Sequence, residues 1–227
     1  MTRVPPPPPV PAALPPGRVR VDCHLHTVDS GDARTTIDEL ARRVAEVRLD
    51  VVCVTEHNQI SGALKAIERD IGARVVVGEE VRTPSGEIIG LFLTERIPYV
   101  LPVPEVIGRI RAQDGVVYAP HPYDPVRSGL GARLDELCAA GDVDVIEVFN
   151  AKNPDDRHNV MAAETARRYD LPGGAGSDAH DPEGVGAAYL EMPDFDGPKA
   201  FLAALREARV VGEYRPHAPR FGGSGHT

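Results

Sequence analysis

The sequence predicts an α/β domain with a mainly parallel sheet closed into a small barrel. Two observations carry that expectation. From Arg18 onward, short runs rich in Val and Ile alternate with amphipathic stretches of helical period, the pattern of repeated βα units. Eight such runs are packed into roughly 200 residues, which favours closure of the sheet over a long open one. An open doubly wound sheet satisfies the same alternation. No Gly-x-Gly-x-x-Gly or Walker-type loop follows a strand, however, which argues against a dinucleotide or nucleoside triphosphate site.

The elements follow in order. Residues 1–17, MTRVPPPPPVPAALPPG, are dominated by proline, which removes backbone donors and favours extended polyproline II, so a disordered tail is expected there. Strands are expected over 19–23, 51–55 and 74–78, each an apolar run too short for a helix. Helix 37–47 is opened by Thr35 and Thr36, with Glu39 at capping-box spacing, and a second helix spans 62–71. Strand 87–93, helix 104–113 and strand 116–119 come next, then helix 134–140 and strand 143–149. Helix 154–169 has Asn153 as its expected cap and Pro154 at its first position. Strand 173–176, strand 188–192 and helix 198–208 complete the domain, expected to be a single unit over 18–215 followed by a flexible tail at 216–227.

The 227 residues and 42% hydrophobic content suit one globular domain. A net charge of -9 argues against binding held mainly by nucleic-acid phosphates, so no stable nucleic-acid partner is expected. Cys23, Cys53 and Cys138 are odd in number and lack metal or redox spacing, which suits reduced thiols in a cytoplasmic protein. No run is long enough to span a membrane.

The chemistry collects at strand ends. In VDCHLHT, strand alternation puts Asp22, His24 and His26 on one face, with Val21, Cys23 and Leu25 on the other. Glu56 and His57 end the second strand, and Glu79 and Glu80 end the third. His121 follows the fifth, Glu147 and Asn150 end the sixth, and Asp178 and His180 follow the seventh. In a parallel barrel these ends form a single rim, so residues distant in sequence converge. Imidazole and carboxylate donors without a thiolate cluster suit zinc, manganese or iron. The set exceeds the needs of one ion; two or three divalent ions with a bridging carboxylate are expected. Clustered cations lower the pKa of bound water and stabilise attacking and departing oxygens, which is hydrolase chemistry.

Taken in order, His24-x-His26, Thr55-Glu56-His57, Gly78-Glu79-Glu80-Val81, His121-Pro122 and Ser177-Asp178-Ala179-His180 resemble the PHP (polymerase and histidinol phosphatase) superfamily, over residues 21 to 191. The resemblance implies a distorted (β/α)7 barrel, TIM-like, with a phosphoesterase site of two or three metals at the strand ends, and is greatest to the small stand-alone phosphoesterases. It assigns His24, His26, Glu80 and Asp178 to one ion, makes Glu80 the bridge to a second that also takes His121, and gives a third to His57 and His180 with Asp29 or Asp32. Two departures stand out. The family commonly has Thr-Asp-His-Asp where this chain has Thr55-Glu56-His57-Asn58, and relatives often have a histidine where Glu87 stands.

The expected function is metal-dependent hydrolysis of a small phosphorylated metabolite or nucleotide, with His57, His180 and Asp178 as catalytic residues and His180 or His57 passing a proton to the leaving group. Arg127, Asn150 and Lys152 are candidates for contacting substrate phosphate. Glu79 faces away from Glu80 and is expected to be a supporting or surface charge, Asp22 to accept a hydrogen bond from a ligand imidazole or to be a plain buried polar group, and Glu147 to hydrogen-bond structurally. His158, His217 and His226 are expected bystanders. The rival readings are a nuclease acting on oligonucleotide ends, a non-catalytic PHP-like metal-binding scaffold, and a metal-dependent amidohydrolase. The last of these often carries a bridging lysine at a strand end, a position that Lys65, Lys152 and Lys199 do not occupy.

Overall fold

A computed structural model describes residues 12–215. Most of the expected proline tail, and the whole of the C-terminal tail with His217 and His226, lie outside the described residues. Residues 12–17 lie within them: the Pro15 carbonyl accepts from the Arg18 amide, and the Gly17 carbonyl from the Asp194 amide.

The chain runs β1 (Arg18–Leu25), α1 (Ile37–Val47), β2 (Val51–His57), α2 (Ser61–Arg69), β3 (Arg74–Thr83), β4 (Gly86–Leu91), α3 (Val103–Arg111), β5 (Val116–Ala119), α4 (Arg133–Ala140), β6 (Val145–Asn150), α5 (Asp156–Arg168), β7 (Gly173–Gly176), β8 (Ala188–Pro193), α6 (Gly197–Leu205) and β9 (Arg209–Gly212). The strands form one sheet in the order β7-β6-β5-β4-β3-β2-β1-β8-β9. Beyond their paired strands, β1 and β7 approach again: the Asp178 amide donates to the His24 carbonyl at 2.7 Å and the His26 amide to the Ala179 carbonyl at 3.0 Å. These bonds almost close β1 to β7 into a barrel. The first half of β1 pairs instead with β8, so β8 and β9 extend the sheet away from the closure.

The expectation of a mainly parallel sheet is only half met. Pairs β1–β2, β2–β3, β5–β6 and β6–β7 are parallel, whereas β3–β4, β4–β5, β1–β8 and β8–β9 are antiparallel. For β3–β4 the reason is chain length. Only Pro84 and Ser85 separate β3 from β4, and a parallel crossover needs a dozen residues or more. The hairpin also carries β3 past its expected end, which leaves Glu80 inside a paired strand.

A second correction concerns β1. Its register against β2 shifts between Asp22 and Leu25, a β-bulge that reverses the inside–outside parity of the strand. Val21 and Cys23 pack with Val51, Cys53 and Tyr118 inside the barrel, whereas Leu25 packs with Leu40, Val44 and Val54 beneath α1 and α2. Asp22 is therefore not on the face shared by His24 and His26. Its carboxylate accepts from the backbone amides of His24, Ser177 and Gly186, and not from an imidazole.

The helices cover the barrel's outer wall. Helices α3, α4 and α5 pack on Ile88, Val117 and Ile146, and Phe201 of α6 joins the interior cluster. Helix α1 starts as expected, with a Thr36–Glu39 capping box. Helix α5 starts later than expected: Asp155 is its cap, accepting from the Arg157 amide, because Asn153 is turned toward the rim. Among the described residues no helix is long and apolar enough to cross a membrane.

Candidate metal centre

The rim at the carboxyl ends of β1, β2 and β3 gathers the expected ligands. His24 closes the bulge of β1 and His26 follows the strand; His57 ends β2, Glu80 stands on β3, and Glu87 is the second residue of the antiparallel β4. His121 and Asp178 follow β5 and β7 with φ of 24° and 50°. Such backbone is costly for residues other than glycine and persists only when the surroundings fix it. Here the His121 amide donates to Glu147 at 2.7 Å, and the Asp178 amide to the His24 carbonyl.

The side chains converge closely. His24 Nε2 and His26 Nε2 are 3.1 Å apart. Glu80 Oε2 lies 3.5 Å and 3.4 Å from them, and Asp178 Oδ1 3.7 Å and 3.3 Å. His57 Nδ1 is 3.0 Å from Glu80 Oε2 and His121 Nε2 is 3.0 Å from Glu80 Oε1, so Glu80 touches four imidazoles. On the other side, Asp32 lies 3.4 Å from His57 Nε2 and 3.7 Å from His180 Nε2. Four overlapping groups can each offer three donor atoms within 4.8 Å of one another: His26–His57–His180, His24–His121–Asp178, His24–His26–Glu80 and His57–Glu80–Glu87.

The chemistry of this donor set fits bound cations. Glu147 accepts from His24 Nδ1 at 3.1 Å, and Ser30 Oγ lies 3.0 Å from His26 Nδ1 while donating to Glu56. With His24 Nδ1 and His26 Nδ1 turned to these supports, both Nε2 atoms face inward, toward each other and toward two carboxylates. Imidazole nitrogens and carboxylate oxygens gathered at this spacing, with their far sides held by partners, form a donor set that a cation would suit. Glu80 Oε2 and His57 Nδ1 make the same point: both are buried and neither completes a hydrogen bond.

Electrostatics agree. Burial disfavours ionised Glu80, yet His24 and His57 hold its carboxyl well below the usual carboxylate range. Burial likewise opposes ionised Asp178, but His24 and Arg127 hold it low. His26 is driven well below the usual imidazole range by burial, then by His180 and His57, which keeps it a neutral donor. His57 is raised to about 10 against burial by Glu80 and Asp32. Burial and the Glu80 charge lift Glu87 to about 7. Against burial, Asp178, Glu147 and Glu80 raise His24 well above the usual imidazole range.

The structure brings together all eight residues expected as ligands: His24, His26, Asp32, His57, Glu80, His121, Asp178 and His180. Of the pair left open, Asp32 is at the site, whereas Asp29 is bonded to Ser61 and Lys65 outside it. Glu87 is also present, 3.8 Å from His121 Nε2. The expected phosphate contacts are more deeply set than a substrate clamp requires. Arg127 donates to Asp124, Asn150, Asn153 and Asp178. Asn150 donates to Glu147 and Asp178, and Lys152 Nζ lies 3.2 Å from His180 Nδ1. Glu79 is buried, with its carboxylate accepting from the Ile97 amide. His158 belongs to none of the ligand groups.

Glu147 hydrogen-bonds structurally as expected, but its partners were not foreseen: it gathers His24, Tyr118, Asn150 and the His121 amide on its two oxygens. Glu56 accepts from the amide and hydroxyl of Thr27 and from Ser30. Both carboxylates stand at noted strand ends; the missing signal was which neighbour each would meet. Gly176 admits Glu147 and His24 so closely that a Cβ there would lie 2.3 Å from His24 Cβ.

Comparison with known families and structures gives a consistent picture. A model described as the PHP domain matches residues 22–171, and one described as PHP-associated matches residues 156–210. An uncharacterized protein of Methanocaldococcus jannaschii is 39% identical over 156 residues, covering 63% of this chain and 89% of that one. A two-domain protein from Bacteroides vulgatus, containing a predicted PHP-like metal-dependent phosphoesterase, superposes with a TM-score of 0.70 at 17% identity; the match covers 86% of this chain and 65% of that one. A lesion-specific endonuclease from Pyrococcus furiosus superposes with a TM-score of 0.63 at 16% identity, covering 85% of this chain and 57% of that one. At such identities the two structures establish the likeness of fold, and this chain spans less than two thirds of either.

Proposed function

Since the chain belongs to the PHP domain family, we propose that it is a metal-dependent phosphoesterase hydrolysing a small phosphorylated metabolite or nucleotide. The observation that carries this reading is the convergence of four imidazoles on one buried carboxylate: His24, His26, His57 and His121 each lie within 3.5 Å of Glu80, with Asp178 beside the first two.

His24, His26, Glu80 and Asp178 would hold one divalent ion, Glu80 and His121 a second, and His57, His180 and Asp32 a third. Zinc, manganese and iron all suit these donors. When bound, such ions make water a nucleophile at neutral pH and neutralise phosphoryl oxygens.

The protein's own groups do the rest. Glu147 and Ser30 hold the ligand rings in one tautomer and orientation. Arg127 and Asn150 fix the outer oxygen of Asp178, which leaves Oδ1 turned to the histidines. His180 is oriented by the Asp178 carbonyl and by Lys152, both at its Nδ1, so His180 or His57 would pass a proton to the leaving oxygen only when its ring is released from the third ion. The three described cysteines are free and buried, consistent with a proposed cytoplasmic location.

The testing experiment is elemental analysis of protein purified without chelator, paired with a phosphate-release screen over sugar phosphates, nucleotides and amino-alcohol phosphates. Bound divalent metal and turnover of one such class are expected; metal-free protein with no turnover refutes the reading. A second reading, a nuclease, is favoured by the structural likeness to the Pyrococcus endonuclease. Degradation of single-stranded DNA exceeding turnover of small esters, with tight salt-sensitive binding, would establish it instead.

A further inference from the structure

Every cationic side chain expected to meet substrate phosphate is set back behind the ligands. Arg127 is committed to Asp124, Asn150, Asn153 and Asp178, and Lys152 is 5% exposed against His180. One arginine stands in front of them. Arg82 lies two residues beyond Glu80 on β3, hence on the same strand face and one step, about 6.6 Å, nearer the mouth. Its backbone is pinned: it pairs with Glu87 across the hairpin, and its amide donates to Asn58 Oδ1 at 2.9 Å. Its side chain is 54% exposed. The guanidinium donates to Glu87 Oε1 at 3.1 Å and approaches Asp32 Oδ2 at 3.9 Å.

Those two carboxylates flank the ligand cluster on opposite sides. Glu87 falls in the group with His57 and Glu80, and Asp32 adjoins His57 and His180. Arg82 therefore straddles the opening above Glu80, holding two acids whose oxygens are themselves candidate metal donors. A guanidinium presents five N–H donors in a fork that matches the geometry of a phosphoryl group. When the acids turn to cations, that fork is released at the mouth, on a fixed strand.

We propose that Arg82 is the side chain that grips the substrate's phosphoryl group at the mouth of the metal centre, exchanging Glu87 and Asp32 for the non-bridging oxygens. This rests on the phosphoesterase reading above. It also assigns to an exposed residue of the β3–β4 hairpin the role expected from sequence for Arg127.

The test uses the full chain loaded with manganese and inorganic phosphate as the probe, measured by calorimetry, with metal content and melting temperature recorded for each variant. For Arg82→Gln the dissociation constant for phosphate is expected to rise about tenfold to a hundredfold, the worth of charge-assisted hydrogen bonds lost from one site. Metal content and melting temperature are expected to hold. Arg82→Lys, which keeps the charge without the fork, should recover part of the loss. With the best ester substrate, KM should rise more than kcat falls. Unchanged phosphate affinity in Arg82→Gln at full metal content overturns the proposal and leaves the phosphoesterase reading standing. Loss of metal from Arg82→Gln also overturns it, making Arg82 a buttress of Glu87. Failure of the wild-type protein both to bind phosphate and to turn over any ester removes both.

Discussion

Glu147→Gln keeps the shape of the side chain and replaces one carboxylate oxygen by an amide donor. The four groups around Glu147 are all donors: His24 Nδ1 and the Tyr118 hydroxyl on Oε1, the His121 amide and Asn150 Nδ2 on Oε2. If the new NH2 occupied the Oε2 position, the His121 amide could not adapt. Asn150 could not invert either, because its Oδ1 already accepts from Arg127 and the Lys152 amide. Each buried donor left unmet costs about 1–3 kcal/mol, so the amide settles at the Oε1 position. There Tyr118 can rotate its hydroxyl to accept, and His24 adapts only by moving its proton from Nδ1 to Nε2. That proton then points at the ligand cluster, where a lone pair is needed. The affinity for the ion shared by His24 and His26 should fall about 10- to 100-fold, the usual effect of losing such a support, while the fold is kept. Competition against a chromogenic chelator at neutral pH measures the affinity, and circular dichroism melting of the metal-free protein checks the fold. Wild-type affinity in a folded Glu147→Gln protein would refute the role given to Glu147.

Other perturbations probe separate links. His26→Ala should lose at least one equivalent of metal by elemental analysis and most of its turnover with the barrel intact, whereas His158→Ala, outside every ligand group, should match wild type in both assays; a fully metallated, active His26→Ala protein would remove the metallohydrolase assignment. Gly176→Ala places a Cβ 2.3 Å from His24 Cβ and 2.8 Å from Glu147 Oε1, so urea denaturation should report a loss of about 1–3 kcal/mol along with weaker metal binding, and an unchanged midpoint would contradict the close β1–β7 approach. Burial raises Glu79 to about 7, so its protonated form adds stability that is complete below the unfolded value near 4.5 and lost as pH rises through about 7. The stability of wild type relative to Glu79→Gln should accordingly drop by up to about 3 kcal/mol between pH 4.5 and pH 8, and a pH-independent difference would show that Glu79 stays ionised.

The candidate ligands could be read from the sequence because metal chemistry admits few residue types and a barrel gathers strand ends on one rim. His24, His57, Glu80, His121 and Asp178 are separated by long stretches of chain, yet strand position alone brought them together. What could not be read depends on pairing. Whether Asp22 shares a face with His24 turns on a bulge that exists only relative to β2. Arg127 was rightly brought near the site, but its choice of Asp178 over solvent follows from the loop conformation that also engages Asn153. The same contact draws Asn153 from the helix-capping role its position suggested and leaves that role to Asp155. Strand β9 escaped notice because Arg209–Gly212 is short and gains its order by pairing with β8.

The join between β1 and the segment after β7 also bears on how the molecule comes into being on the ribosome. His24 and His26 are made early, while Asp178 and His180, which meet them across that join, are made more than 150 residues later. The PHP match itself stops at residue 171, short of both late ligands. A nascent chain can therefore present only a partial donor set until β7 has emerged and docked, and domains generally fold as units as they are synthesised. If the proposed ions bind, their full complement would be acquired late, on chains whose first and last barrel strands have met.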